Sequence, residues 1–378
     1  MTFRFIHSSD LHLGRRFANI PQPSDGNIRG RLMEARHTSI SKLAEVARAQ
    51  DARHILLAGD TFDTSTPSET VVRQALSAMA EADGIHWWLL PGNHDNLKNA
   101  ELLWENISRD APAHVHVLTE SDPIELSTGV QLLPCPVAYR STGRDPTDAL
   151  PGLTTPDGDL RIGLAHAGVV DFTDSGDHIP PDRDQSAGLD YLALGDWHGR
   201  VCVSERTHYS GSPEQDRFKH GKRGVCLAIS VDACGAPPEI DEIETGEFLW
   251  TKAELPLLSD SDAVRAFETI LPQSDRRNVL MRIRVTGRTT LEQQAALQQA
   301  AARVGPDFGD LAITLDDLGL TYEDADLDAI DQAGALRRAA DQLRADAESN
   351  TLSASERSVA AGALSRLYSY IREAEPCA

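Results

Sequence analysis

The 378-residue sequence is poor in cysteine, in basic residues and in long apolar runs. Its five cysteines are scattered, odd in number and never spaced C-x-x-C. That pattern argues against a zinc-knuckle or disulfide framework and fits a reducing compartment, so a cytoplasmic location is expected. No apolar run approaches the roughly 20 residues of a membrane span, and no membrane association is expected. The opening MTFRFIHSSD has neither a basic leader nor an apolar signal core, so no cleaved leader is expected. Lys and Arg number 36 against 58 Asp and Glu, a formal net charge of −22. This weighs against tight nucleic-acid binding by the chain alone, because phosphate contacts are normally made by Lys and Arg. The stretch from Asp307 to Asp331 contains no basic residue and reads as a solvated, self-repelling surface. An aromatic-plus-basic stripe of the kind that stacks single-stranded bases is also missing.

What is present is an ordinary globular composition, 40% hydrophobic and 25% charged, long enough for one large domain and a smaller one. FRFIHS reads as a strand. RLMEARHTSISKLAEVARA reads as a helix with Leu32, Ala35, Leu43, Val46 and Ala47 on one stripe. HILLAGD and IHWWLLPG are further strands. Between them Thr66-Pro67-Ser68-Glu69 opens a helix with a capping box that carries Val71, Val72, Ala75, Leu76 and Met79. The strand–helix–strand rhythm predicts an α/β sheet with helices packed on it. From Val115 onward VHVL, IELS, VQLLPCP, RIGLAHAGV, YLALGD, THYSG and GVCLAISV are strands with few helices between them. The expected fold is a two-sheet sandwich flanked by helices, filling residues 1–237. VLMRIRVTG, TLEQQAALQQAAARVG and DLAITLDDL predict a small strand–helix–strand domain over 238–322. Residues 323–378 read as a helical hairpin. One arm carries Leu327, Ile330, Leu336 and Leu343. The other, opened by the capping box Ser353–Glu356, carries Val359, Leu364, Leu367 and Ile371. No solenoid repeat or low-complexity tract interrupts this order.

The informative residues follow the strands. Asp10 and His12 stand in SSDLHLG, Asp60 ends HILLAGD, and Asn93, His94 and Asp95 follow WWLLPG. His166 sits in GLAHAGV, and Asp196 and His198 close YLALGDWHG. Ligands of open α/β sheets collect at the carboxyl ends of strands, so all of these can converge on one rim. Carboxylates, imidazoles and one amide, with no thiolate, suit a divalent ion such as manganese. One carboxylate can bridge two ions about 3.5–4 Å apart, which clamp a phosphoryl group and lower the pKa of a bound water. Asp60 is the best bridge candidate, since Gly59 lets the backbone turn sharply there. His94 is placed to reach a leaving oxygen, as general acid or as hydrogen-bond donor. Asp63 lies near the same rim and reads as a partner of the ligands rather than as one of them. Isolated histidines such as His86, His114 and His178 read as ordinary surface or core residues. Asp324, Asp326 and Asp328 form a DxDxD run, but an EF-hand loop needs Gly and Glu where Ala329 and Ala335 stand, so helix capping is the better reading.

The ordered set SSDLHLG, LLAGDTFD, LLPGNHD, LAHAGV and LGDWHGR resembles the calcineurin-like metallophosphoesterase superfamily. The block HYSGSPEQDRFKHGKRGVCLAI, residues 208–229, is similar to the corresponding segment of SbcD-type DNA repair nucleases, bacterial relatives of the Mre nucleases. The resemblance covers residues 1–235. It implies a manganese-dependent DNA exonuclease and endonuclease subunit that hydrolyses phosphodiesters by a two-metal mechanism and works with an SbcC-like, SMC-type ATPase. It implies that Asp10, His12, Asp60 and His198 hold one ion. Asp60, Asn93, His166 and the residue at 196 hold the other, and His94 is the catalytic histidine. The family pattern is Gly-His-x-His where this chain has Gly195-Asp196-Trp197-His198, so Asp196 is read as a substitute ligand with an oxygen donor. Arg15, Arg16, Arg217, Lys219, Lys222 and Arg223 are candidates for phosphate contacts. The appended domain corresponds in architecture to a capping domain, and the hairpin is a candidate surface for the ATPase. A homodimer is a further possibility. Two alternatives stay open: a phosphoesterase for a small phosphodiester or nucleotide, and a weakly active scaffold for the ATPase.

Overall fold

The computed structural model describes residues 2–24, 26–140, 143–169, 178–321, 328, 330 and 334–374. The chain divides into two compact units, Met1–Trp250 and Thr251–Ala378.

In the first unit β1 (Phe3–Ser8), α1 (Ile28–Ala49), β2 (His54–Leu57), α2 (Glu69–Ala80), β3 (His86–Leu89), α3 (Glu101–Asp110) and β4 (Val115–Val117) follow one another as strand–helix–strand units. Then come β5 (Ile124–Ser127), β6 (Val130–Cys135), β7 (Leu160–His166), α4 (Arg183–Ser186), β8 (Tyr191–Gly195), β9 (Val201–Cys202), β10 (Thr207–Tyr209), β11 (Val225–Val231) and β12 (Glu239–Glu244). One sheet has the order β12-β11-β1-β2-β3-β4 and the other β5-β6-β7-β8-β10-β9. The strand-rich half therefore does not stay together: VHVL and GVCLAISV join the first sheet. β11 pairs antiparallel with β1, Phe3 opposite Val231.

Alternating side chains divide the core. Phe5, Leu56, Trp88 and Leu227 from the first sheet meet Leu132, Ile162, Leu164 and Ala193 from the second. On the outer face of the first sheet Ile6, Ile55, Leu57 and Trp87 pack with Ile40, Leu43, Met79 and Trp104 of the helices. Leu133, Ala165, Leu192 and Leu194 are buried on the outer face of the second sheet. Strands covered on both faces need apolar residues at every position, which is why they read as continuous runs. The N-cap of α2 is Ser68, whose side chain accepts the Val71 N–H, so the helix starts two residues later than a cap at Thr66 would place it.

The first unit also runs past residue 237. β12 pairs with all but the last residue of β11, as an edge strand rich in acids. The second unit holds β13 (Leu249–Leu257), which begins at the boundary, α5 (Ala263–Ile270), β14 (Val279–Thr290), α6 (Leu291–Val304), β15 (Asp310–Thr321), α7 (Ala335–Ala347) and α8 (Ala354–Ala374). Its sheet has the order β13-β14-β15, so the small domain gains a strand and a helix beyond those expected. Leu364 and Tyr368 of α8 and Ala340 of α7 pack with Leu291 and Ala295 of α6, alongside Ile330. Leu336 and Val359, expected on the inner stripes, are exposed. The Ser353 box forms as read, with Ser353 N–H donated to Glu356 at 2.8 Å. Asp324, Asp326 and Leu327 lie outside the described residues, and no helix among those described is long and apolar enough to cross a membrane.

Away from the motif loops, His54 and His86, which open β2 and β3, and His116, in the middle of β4, stack in sequence at 5.4 Å. Trp88 Nε1–H is donated to His54 Nδ1 at 3.1 Å, which requires a neutral acceptor nitrogen. Burial, then the neighbouring His86 and His116, lower the His54 pKa from 6.5 to about 4. The unfolded chain therefore takes up this proton first, so the contribution to stability is complete above about pH 6.5 and is lost as pH falls toward 4. Between pH 7 and 5 this side chain alone should cost the fold about 2 kcal/mol. Thermal melts across that range should show a shallower acid slope for His54→Gln; equal slopes would remove His54 as a cause.

Candidate metal centre

Three of the five motif loops leave the carboxyl end of a strand in a conformation that few residues adopt. Asp10, His12, Asp60 and Asp196 have φ of 55°, 44°, 54° and 98°, four of the seven non-glycine residues with positive φ among those described. Left-handed backbone at non-glycine residues costs of order 1 kcal/mol or more each, and its concentration here marks a functional rim. Close approach does the rest. A Cβ on Gly195 would stand 1.9 Å from the Ala58 carbonyl oxygen, and one on Gly59, itself at φ 89°, would stand 2.2 Å from His166 Nδ1. Only glycine lets β2, β7 and β8 end this close together.

The result is a buried cluster. Asp10, His12 and His198 form one group of potential ligands, His12, Asp60 and His94 a second, and Asp10, Asp60 and His166 a third, with the donor atoms in each group within 4.8 Å of one another. Asp60 Oδ2 lies 3.5 Å from both His12 Nε2 and His166 Nε2. Its Oδ1 accepts the backbone N–H of His94 at 2.9 Å. Asp10 Oδ1 is 3.7 Å from His12 Nε2 and from His198 Nε2. His166 Nδ1–H is donated to the Ala58 carbonyl at 2.7 Å, which turns Nε2 toward Asp60. His94 Nδ1–H is donated to the Asp63 carbonyl at 2.9 Å. Asp63 Oδ1 stands 3.2 Å from His12 Nδ1 and from Arg15, so it braces His12 from behind.

Asp196 and Asn93 complete the rim differently. Asn93 Nδ2 donates to Asp196 Oδ1 at 2.8 Å, and that oxygen is 3.9 Å from His166 Nε2. Asp196 belongs to none of the three groups, and its side chain is 35% exposed. Asp95, the last residue of GNHD, is in none of them either and ties two loops together. It accepts from Gly92 N at 2.7 Å and Phe62 N at 3.0 Å. Burial, reinforced by Asp60, pushes its carboxyl up to about 7.

Electrostatics fit a cationic occupant. Burial opposes protonation of His12, yet the neighbouring carboxylates of Asp10, Asp63 and Asp60 raise it to about 9. His166 is raised well above its ordinary value: burial is outweighed by Asp60, Asp10 and Asp196. Asp10 Oδ1 and His166 Nε2 are buried and make no hydrogen bond. The carboxylates thus favour positive charge at His12 and His166. The donor set, carboxylate and imidazole without thiolate, suits divalent ions.

Sequence reasoning passed over two residues that support the cluster. Asp216 lies in the quoted block SGSPEQDRF, with His198 Nδ1 3.0 Å from its Oδ1. Arg36 sits on α1 at 1% exposure, and its Nη2 is 3.3 Å from the Asp216 carboxylate. A signal was present: Arg36 is a charge on the buried stripe, four residues from Leu32 and from Ile40.

A two-sheet α/β sandwich whose strand ends pool carboxylates and imidazoles defines a metal-dependent hydrolase class. The model of the calcineurin-like phosphoesterase family matches residues 3–200, and the chain belongs to that family of metal-dependent phosphoester hydrolases. Among relatives, the chain is 25% identical over 282 residues to "Uncharacterized metallophosphoesterase YhaO" of Bacillus subtilis (strain 168), covering 70% of this chain and 66% of that protein. It is 30% identical over 117 residues to the D subunit of nuclease SbcCD of Escherichia coli (strain K12), covering 30% of this chain and 25% of that protein. The matched region thus spans less than two thirds of either relative. The crystal structure of TT1561 of Thermus thermophilus aligns at a TM-score of 0.40 and 10% identity, over 64% of this chain and 99% of that one.

Proposed function

We propose that the chain is the nuclease subunit of a DNA repair complex, a manganese-dependent exonuclease and endonuclease partnered by an SMC-like ATPase. The observation that carries this reading beyond phosphoester hydrolysis is the cationic edge of the cluster, joined to the partial identity with an SbcCD nuclease subunit. Arg15 is 3.3 Å from Asp216 and 27% exposed, and Arg217 lies on the same carboxylate at 2.9 Å and is 43% exposed. Lys219 Nζ stands 3.7 Å over the ring of Trp197, the residue between Asp196 and His198. These groups put positive charge beside the cluster in a chain that is otherwise strongly acidic, and phosphate contacts of this kind position a nucleic-acid backbone.

In this reading Asp10, His12, Asp60 and His198 hold one divalent ion, and Asp60, Asn93, His166 and Asp196 hold the other. When bound, such ions polarise phosphoryl oxygens and make a water nucleophilic at neutral pH. Asp60 keeps a carboxylate between the two sets. Asn93 orients Asp196 through its amide. His94, anchored by its Nδ1–H, keeps Nε2 for holding or delivering a proton to the leaving oxygen. The second unit corresponds to the capping domain of such nucleases, and the exposed residues Leu336, Val359 and Tyr370 of α7 and α8 are the surface for the ATPase. Location is cytoplasmic in this reading.

One observation favours a second reading, a small phosphodiester as substrate: the net charge of −22 opposes a polyanion. The test is an assay of linear duplex DNA and of bis(p-nitrophenyl) phosphate across Mn²⁺, Mg²⁺ and Zn²⁺, with metal content measured on the same sample. Manganese-dependent degradation of DNA, weakening with salt, is expected. Cleavage of the chromogenic ester with DNA left intact, with and without the ATPase, would transfer the assignment to the small substrate. Bound metal without hydrolysis of either would leave a scaffold.

A further inference from the structure

We propose that Asp216 and Arg36 form a positioning pair that holds His198 in its ligating orientation and ties it to the loop bearing Asp10 and His12. The inference rests on reading Asp10, His12 and His198 as ligands of one cation.

The tautomer of His198 follows from its two neighbours. Arg217 Nη2 lies 2.9 Å from His198 Nε2. A guanidinium has only donors, so Nε2 must accept and the ring proton must sit on Nδ1. That Nδ1–H is donated to Asp216 Oδ1 at 3.0 Å. The single Nε2 lone pair therefore faces the side where His12 Nε2, at 3.2 Å, and Asp10 Oδ1, at 3.7 Å, also converge; it is taken here by the half-exposed Arg217, which would give way to a bound cation. A carboxylate on the far nitrogen of a ligating imidazole fixes its orientation and raises its basicity.

Asp216 is itself held. Its side chain is fully buried, and Oδ2 is 3.3 Å from Arg36 Nη2 and from Arg15 Nη1. Arg36 spends its other terminal nitrogen on the backbone, donating to the carbonyl oxygens of Leu11 and Asp10. Those carbonyls lie within the turn where Asp10 and His12 adopt left-handed backbone. A guanidinium buried to this degree is strongly unfavourable without its carboxylate. The pair thus links the loop after β1, α1, the end of β8 and the 212–218 segment, its contacts ending on His198, on the Asp10 carbonyl and on the carbonyl of Leu11 between Asp10 and His12. The Ser212 Oγ–H lies between the Asp10 carbonyl at 2.8 Å and, on its own loop, the Glu214 carbonyl at 2.6 Å.

The test uses the full chain and two variants, Asp216→Ala and Asp216→Asn. Mn²⁺ affinity would be measured by calorimetry, cation geometry by the visible spectrum of the Co²⁺-loaded protein, and folding by thermal melts. Asp216→Ala is expected to weaken the cation site that uses His198 by about 10–100-fold and to alter the Co²⁺ spectrum. Asp216→Asn keeps an acceptor for the Nδ1–H but loses the charge, and its loss should be smaller, about threefold to tenfold. Should the alanine variant not fold, the asparagine variant decides. A folded variant with a lowered melting temperature but wild-type Mn²⁺ affinity and Co²⁺ spectrum would reduce Asp216 to a structural role and overturn the proposal. His198→Ala separates the two levels. If it also leaves affinity unchanged, the ligand reading has failed; if it alone lowers affinity, only the positioning role has.

Discussion

Replacing Asp60 by Asn is expected, on the proposed two-ion reading, to lower metal-dependent phosphoester hydrolysis by at least about 100-fold and to reduce the bound metal from two equivalents to one. The backbone does not stand in the way. Asp60 has φ 54°, and asparagine tolerates the left-handed region as readily as aspartate does. Its Oδ1 hydrogen bond from the His94 N–H can also be kept by an amide oxygen. What changes is Oδ2, the atom 3.5 Å from both His12 and His166, which becomes an NH₂ group with no lone pair to offer. The two ligand sets then lose their shared anion while the fold stays intact. Metal content by mass spectrometry and turnover of bis(p-nitrophenyl) phosphate on the same preparation would check this. Two equivalents of tightly bound metal together with near-normal turnover would refute the bridging role.

His94→Ala is expected to separate chemistry from metal binding. A positioned proton donor contributes typically about 10²–10⁴-fold, and kcat should fall by that amount. His94 lies within reach of His12 and Asp60, so its position alone allows a ligand role as well. The two roles make opposite predictions. A proton donor leaves metal content unchanged when removed, and added imidazole should restore part of the rate. A ligand takes metal with it, and added imidazole should act through metal content. Loss of a metal equivalent in His94→Ala would reassign the residue.

Much of the site was legible in the chain because strand burial writes a plain signal. LL, LL and LAL runs, covered on both faces, stop at Gly59-Asp60, Pro91-Gly92 and Gly195-Asp196, where the backbone leaves the sheet. Polar residues immediately after parallel strands can gather at one edge of the sandwich, and Asp10, His12, Asp60, His94, His166 and His198 stand close together there. The boundary at 237 failed for a matching reason. β12, EIDEIE, is an edge strand, and an edge tolerates charge that an interior strand would not, so its sequence does not look like part of a core. The first-sheet membership of β11 was illegible because its partner β1 lies more than 200 residues away, and local periodicity carries no information about pairing at that distance. Leu336 and Val359 share their helical spacing with buried neighbours. Which side of a stripe turns outward is decided by the surface it meets, here α6.

The chain by itself determined the kinds of donor and their order: carboxylate and imidazole, an amide, no thiolate, each after a strand. It also put glycine beside Asp60 and Asp196, but the crowding that demands it, by His166 at Gly59 and by the Ala58 carbonyl at Gly195, is tertiary. Only the tertiary structure decided which atoms meet. It set Asp60 between His12 and His166, turned Asp196 onto Asn93, and brought Asp216 and Arg36 behind His198. Those contacts depend on sheet order and backbone hand, which bring residues 10, 60, 166 and 198 within a few ångströms. No local pattern encodes a distance between segments that far apart in sequence.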